Sequence, residues 1–173
     1  MVATIQPTKA EVNRVRPTVG GNRLDFPGST TTNCASLTTK KCLLNSTIFT
    51  PGARFMDLDI KDFYYGTAMD CYEYMKLALA CIPDKIFEQY NLRALSSDVW
   101  VYLEIRKGMP GLKHAGRIAN EGLKAHLAHF RFSLVPGTPA LWKHTINIIN
   151  FSLVVDNFGV NYIGKENADH LIQ

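Results

Sequence analysis

No stretch of this sequence approaches the roughly 18 consecutive apolar residues of a membrane-spanning helix. Its first residues, MVATIQPTKAEVNR, hold no apolar core of a secretory signal. No membrane partner is expected, and the reading is of an intracellular protein, cytoplasmic or nuclear. Cysteine is scarce: Cys34, Cys42, Cys71 and Cys81 are the only four, and no two stand in a C-x-x-C spacing. That argues against a zinc site or a disulfide framework, and for free thiols in a reducing compartment. Asn45-Ser46-Thr47 fits the glycosylation pattern, but without a secretory signal the match is accidental. There is no internal repeat and no low-complexity tract, and strands and helices do not alternate at the regular spacing of βαβ units.

What remains is an ordinary globular composition. The chain has 173 residues, 46% hydrophobic and 20% charged, enough for one domain with a sizeable core. The net charge of +4 is unevenly spread. Residues 1–50 carry six Lys/Arg against two Asp/Glu, residues 57–104 four against nine, and residues 105–143 seven against one. An acidic middle between basic flanks suits a metal centre framed by phosphate-binding surfaces, and it equally suits ordinary solvated faces.

Residues 1–52, rich in Gly, Pro, Thr and Asn, predict irregular structure with short strands at RVRPTV and KCLLNSTIFT. ARFMDLDI alternates as a strand, with Phe55, Asp57 and Asp59 on one face and Met56, Leu58 and Ile60 on the other. KDFYYGTAM reads as a turn or short helix. YEYMKLALACIP reads as a strand stopped by Pro83, DKIFEQYNL as a helical turn or two, and DVWVYLEI as a strand. GLKHAGRIANEGLKAHLAHF is the clearest helix, because Leu112, Ala115, Ala119, Leu123, Leu127 and Phe130 recur at three- and four-residue steps. INFSLVVDNFGVNYI predicts a hairpin turning at Asp156-Asn157, and KENADHL a helix start. The fold class is α+β.

Asp59 ends a strand and Asp156 lies at a hairpin tip, each after apolar residues that would bury the two strands side by side. Mg²⁺ takes one or two carboxylates and leaves its other positions to water and phosphate. Two such ions about 3.5–4 Å apart can clamp the attacking and leaving oxygens of a phosphoryl transfer. On the residues alone a second reading stands: Asp59 caps a following helix and Asp156 makes the turn. His126 and His129, three apart on the long helix, have no evident third ligand and read as core or surface residues.

Four segments in order carry a family resemblance. FMDLDIKDFYY is similar to the first catalytic motif of reverse transcriptases of the LTR-retrotransposon and retroviral type. KGMPGLKHAG resembles the second motif, VVDNFGVNYIGKENADHL the third, and RVRPTVGGNRLD the fingers strand that precedes them. The match spans residues 12–172. It implies an antiparallel, ferredoxin-like palm sheet backed by helices (residues 53–173, with a fingers insertion) after a partial fingers segment (residues 1–52). It implies two Mg²⁺, or Mn²⁺, bound by the catalytic Asp59 and Asp156 with the Ile60 carbonyl and Asn157. It implies nucleotide contacts from Arg16, Asp62, Phe63, Tyr64 and Gly111, with Tyr64 as the gate against a ribose 2′-OH. Lys9, in looser register, is a second candidate for the triphosphate. The implied partners are a nucleic-acid template-primer, deoxynucleoside triphosphates and the other domains of a retroelement polyprotein.

The sequence departs from that pattern at three places. Asn157 stands where the family has a second Asp, and brings an oxygen without a charge. MPGL lacks the residue that separates Pro and Gly in the second motif and shapes the nucleotide pocket. Gln173 follows the third motif closely, so the thumb and any RNase H domain are expected outside this sequence, and the chain reads as a piece of a polyprotein with impaired activity. The alternative is a non-catalytic remnant that at most binds nucleic acid through its basic segments.

Overall fold

The computed structural model describes residues 2–5, 7, 12–16 and 18–172. Strands β1 (Val2–Ile5) and β2 (Asn13–Arg16) come first, then helix α1 (Leu37–Phe49) and strand β3 (Ala53–Asp59). Strand β4 (Ala68–Ala78), short helices α2 (Asp84–Gln89) and α3 (Leu92–Leu95), and strand β5 (Trp100–Lys107) follow. Helix α4 (Ala115–His129) leads into strands β6 (Phe132–Leu134), β7 (Leu141–His144), β8 (Ile149–Val154) and β9 (Asn157–Ile163), and helix α5 (Lys165–Ile172) comes last. The class is α+β, and every strand pairing among the described residues is antiparallel. No helix among them is long and apolar enough to cross a membrane. By its internal contacts the chain forms two units, Met1–Asp25 with Tyr64–Ala115, and Phe26–Phe63 with Gly116–Gln173.

In the first unit β1 pairs with β2, and β4 with β5 as a long ribbon. The ribbon alternates as a half-buried strand pair should. Val101 and Ile105 are buried and Met75, Leu77 and Leu103 half-buried, while Tyr74, Lys76, Tyr102 and Glu104 are exposed. Backbone contacts tie the rest to it: the Val19 N–H donates to the Pro110 carbonyl at 3.0 Å, and the Gly108 N–H to that of Thr67 at 2.8 Å. The Lys113 ammonium closes the same region by donating to the Leu24 carbonyl at 2.8 Å.

The second unit is built on a five-stranded sheet in the order β3-β9-β8-β7-β6. Its two faces differ because strand side chains alternate. Ile149, Phe151 and Leu153 of β8, Phe158 and Val160 of β9, Trp142 of β7 and Phe132 of β6 are all buried in one core. Leu123, Leu127 and Phe130 from the α4 side and Leu171 of α5 pack against it, with Met56, Leu58 and Ile60. The opposite face is polar. It carries Asn150, Ser152 and Asn161, and α1 lies on it. The Asn161 amide donates to Ser46 Oγ at 3.0 Å and to Thr47 Oγ1 at 2.7 Å. The unit is therefore three-layered, with α4 and α5 on one side of the sheet and α1 on the other.

The long helix, the strands of the β8–β9 pair and strands β3 and β5 form where the sequence predicts them. Residues 41–50 do not form a strand: residues 41–49 belong to α1, and Thr50 follows it. Ser36 caps that helix, its hydroxyl accepting the Thr39 N–H at 3.0 Å. Ser46 and Thr47 turn their hydroxyls back onto the Leu43 carbonyl. The Thr and Ile content that suggests a strand is thus absorbed by a cap, two back-bonds and the Asn161 contact. Strands β6 and β7 are too short to show a period, and only pairing defines them, β7 with β8 and β6 with β7. The YEYMKLALACIP strand begins at Ala68, and Leu79–Cys81 close it with one 3₁₀ turn.

His144, at the end of β7, is buried. Its Nδ1 accepts the backbone N–H groups of Ile146 at 3.1 Å and Asn147 at 2.7 Å. Burial pushes its pKa down, and His170 (ring centroids 5.0 Å apart) and Arg131 push the same way, against a backbone hydrogen bond to Phe130. A proton on Nδ1 would face two donors, so the folded state holds the neutral ring. The unfolded chain takes up that proton below about pH 6.5, and the folded chain does so only at lower pH, so this group costs stability as pH falls. The urea midpoint of the wild type is expected to drop between pH 7.5 and 5.5 by more than that of His144→Asn, which keeps an acceptor without titrating. Parallel pH dependences in the two proteins would remove His144 from the account.

Candidate functional site

Strand β3 pairs with β9 in unbroken register from Ala53↔Ile163 to Asp59↔Asn157. Residues directly opposite in an antiparallel pair share a face, with Cβ atoms about 4.5–5.5 Å apart. Asp59 and Asn157 are therefore neighbours on the polar face, as Leu58 and Phe158 are on the core face. One step further the Ile60 N–H donates to the Asp156 carbonyl at 3.0 Å. The Asn157 amide donates to Asp156 Oδ1 at 2.8 Å. That bond brings the half-buried Asp156 carboxylate beside Asn157. Asp59, Asp156 and Asn157 thus gather at one end of one sheet, with the Ile60 backbone between them. Asp57 lies two residues back on the same face, also exposed.

The hairpin does not turn where its sequence suggests. Val154 pairs with Asn157, so the two turn residues are Val155 and Asp156, and Asn157 already belongs to β9. The positive φ expected of Asp or Asn falls on Val155, at 60°. A β-branched residue rarely adopts that conformation. Nor does Asp59 cap a helix: residues 61–66 are turns. In those turns Asp62 takes a left-handed φ of 54°, and Phe63 is half-buried.

The carboxylates suit a hard cation. Two acids at an open sheet end, with water and phosphate left to complete the shell, match Mg²⁺ better than a closed all-protein cage. Among the described residues no three His, Cys, Asp or Glu side chains come together as a metal site. His126 lines a hollow with Asp59, Leu58, Phe158 and Leu171. It packs on the Phe130 ring at 4.9 Å between centroids, and His129 reaches the same ring at 5.4 Å.

The remaining candidates belong to the first unit. Arg16 ends β2, opposite Val2. Lys9 lies outside the described residues. Tyr64 is half-buried, and its carbonyl is where a Cβ on Gly108 would collide, at 2.6 Å. Gly111 has φ +98°, and a Cβ there would lie 2.1 Å from the Val19 carbonyl oxygen. The close approach that Gly111 permits is thus to the chain's own backbone, three residues beyond Arg16. This unit therefore brings together the segment after Arg16, the turn holding Tyr64 and the segment 108–111, which are remote in sequence. No family model, curated protein or solved structure matches the chain.

Two substitutions check these backbone statements. Gly111→Ala combines a disfavoured φ with a collision against backbone, and is expected to cost about 3 kcal/mol or more. Urea unfolding within 1 kcal/mol of wild type would contradict the geometry. Val155→Gly removes strain of order 1–3 kcal/mol at the hairpin tip, offset in part by the added chain entropy of glycine. The melting temperature is expected to rise by a few degrees, on the scale of about 2–4 °C per kcal/mol for a chain of this length. A fall of similar size would show that Val155 is held by packing and not strained.

Proposed function

We propose that this chain is a reverse-transcriptase-like polymerase domain, of palm type in its second unit. Its reaction is the addition of deoxynucleotides to a primer 3′-OH. The observation that carries the reading is the juxtaposition of Asp59 and Asp156 at one end of an antiparallel sheet. Those residues are 97 apart in sequence, and a mere turn at Asp156 gives no reason for an acid-ended strand beside it. Asp59 and Asp156, with the Ile60 carbonyl, are the groups that would hold Mg²⁺ or Mn²⁺. Such ions supply charge for the triphosphate and for the oxygens that exchange at phosphorus. Arg16, with an always-charged guanidinium, is the candidate phosphate contact. Tyr64 is the candidate gate, its ring excluding a 2′-OH. In that reading the partners are a template-primer and deoxynucleoside triphosphates.

Asn157 favours a weakened enzyme. It contributes no charge, and its amide engages one oxygen of Asp156. A unit charge at about 4 Å is worth about 4 kcal/mol at an effective dielectric of about 20. The same bond supports the second reading, a remnant that retains only nucleic-acid binding.

The decisive measurement is thermal shift with Mg²⁺ and Mn²⁺ alongside primer extension. Wild type is expected to show a small shift and little or no extension. Asn157→Asp is expected to enlarge the shift by several degrees, since binding at 100 times Kd stabilises by about 2.7 kcal/mol. Asp156→Asn is expected to abolish it. An equal metal response in all three proteins would make Asp156 a turn residue and end the polymerase reading. Extension by wild type at ordinary polymerase rates would end the weakened-enzyme reading.

A further inference from the structure

The β4–β5 ribbon of the first unit has one packed face, and its other face is open. Its open face is aromatic. Tyr72, Tyr74 and Tyr102 are 50%, 62% and 63% exposed, and Trp100 39%. Register places Tyr74 opposite Glu104, Lys76 opposite Tyr102 and Ala78 opposite Trp100, so these side chains share one surface. The cations on it lie over the rings. Lys76 Nζ sits 4.7 Å from the Trp100 ring centroid and 6.0 Å from that of Tyr102, and the Arg106 guanidinium is 5.5 Å from Tyr72. The one acid between them, Glu104, is engaged by Arg106 and by the Tyr74 hydroxyl at 3.0 Å.

Exposing four large rings to water costs hydrophobic free energy, and the ribbon's own core does not need them. We propose that this face is a stacking platform for unpaired bases of single-stranded nucleic acid. Rings with exposed faces, interleaved with Lys and Arg, are the chemistry that binds single strands without reading sequence. Rings two residues apart on a strand stand about 6.7 Å apart, near twice the roughly 3.4 Å rise per base of a stacked strand. Lys76 and Arg106 occupy the ring faces in the free protein and move to phosphates when bases replace them. A dry protein interface would have to desolvate both cations and the tyrosine hydroxyls, whereas a polyanion takes them as they are. The proposal stands apart from the metal reading, because none of these residues is a candidate metal ligand.

Trp100 reports on its own occupancy, since the second tryptophan, Trp142, is only 3% exposed. The test titrates the intact chain with a 12-nucleotide oligo-dT, oligo-U and a duplex of the same length, reading tryptophan quenching and fluorescence anisotropy. Both single strands are expected to quench Trp100, with affinity falling as salt rises. The Tyr74→Ala/Tyr102→Ala double variant is expected to bind about tenfold or more weakly, on the scale of loss of a stacked base. Tyr102→Phe, which keeps the ring, is expected to bind as wild type. Binding is expected to be the same in EDTA as in Mg²⁺, which separates this face from the metal site. Absence of quenching overturns the proposal. So does binding of duplex and single strands alike that the ring variants do not weaken, since phosphate contacts alone would explain it. Self-association by sedimentation that the double variant abolishes overturns it in favour of a protein partner.

Discussion

Seven consecutive residue pairs join β3 to β9, and the placement of every candidate metal-binding group depends on that register. Side chains alternate with a period of two, so a slip of one residue would send Asp59 into the core and Leu58 to the polar face. The slip is opposed by the other face. Met56, Leu58 and Ile60 pack on the cluster that Phe151, Phe158 and Val160 fill. Hydrophobic burial on one side of the strand thus sets where the carboxylate stands on the other. Gly159 adds to this on the polar face, because a Cβ there would lie 3.1 Å from the Phe55 ring and from Ser152 Oγ.

The same sheet has a graded polar face. At the Ala53–Ile163 end it is covered by α1, and the buried Asn161 amide is satisfied by Ser46 and Thr47. At the Asp59–Asn157 end the side chains of Asp57, Asp59 and Asn157 are exposed. Burying acids there without partners would cost several kcal/mol each, so this end of the sheet has to stay open or be met by cations. The amide of Asn157 partly answers that need by donating to Asp156. That bond also engages an oxygen a metal ion would use.

The first unit works by close backbone approach. Gly108 and Gly111 let the chain after β5 lie against Tyr64 and Val19, where any side chain would collide with a carbonyl. Residues far apart in sequence are thereby brought together by glycine.

Strong periodicity made α4, β3, β5 and the β8–β9 hairpin legible in the sequence, because each buries one face and its pattern records that burial. The acids Asp59 and Asp156 were legible for the same reason, as charges punctuating apolar strands. Helix α1 was not legible: the Ser36 cap and the Asn161 contact that stabilise it involve residues outside the run that suggested a strand. Strands β6 and β7, three and four residues long, exist by pairing with neighbours and carry no period of their own. The position of the hairpin turn was decided by pairing too. Local preference put it at Asp156-Asn157, but the ladder holds Asn157 opposite both Asp59 and Val154, and leaves the strained φ to Val155. Local chemistry thus determined which residues are apolar, acidic or turn-forming, and only the cooperative register of the sheet decided which of them meet.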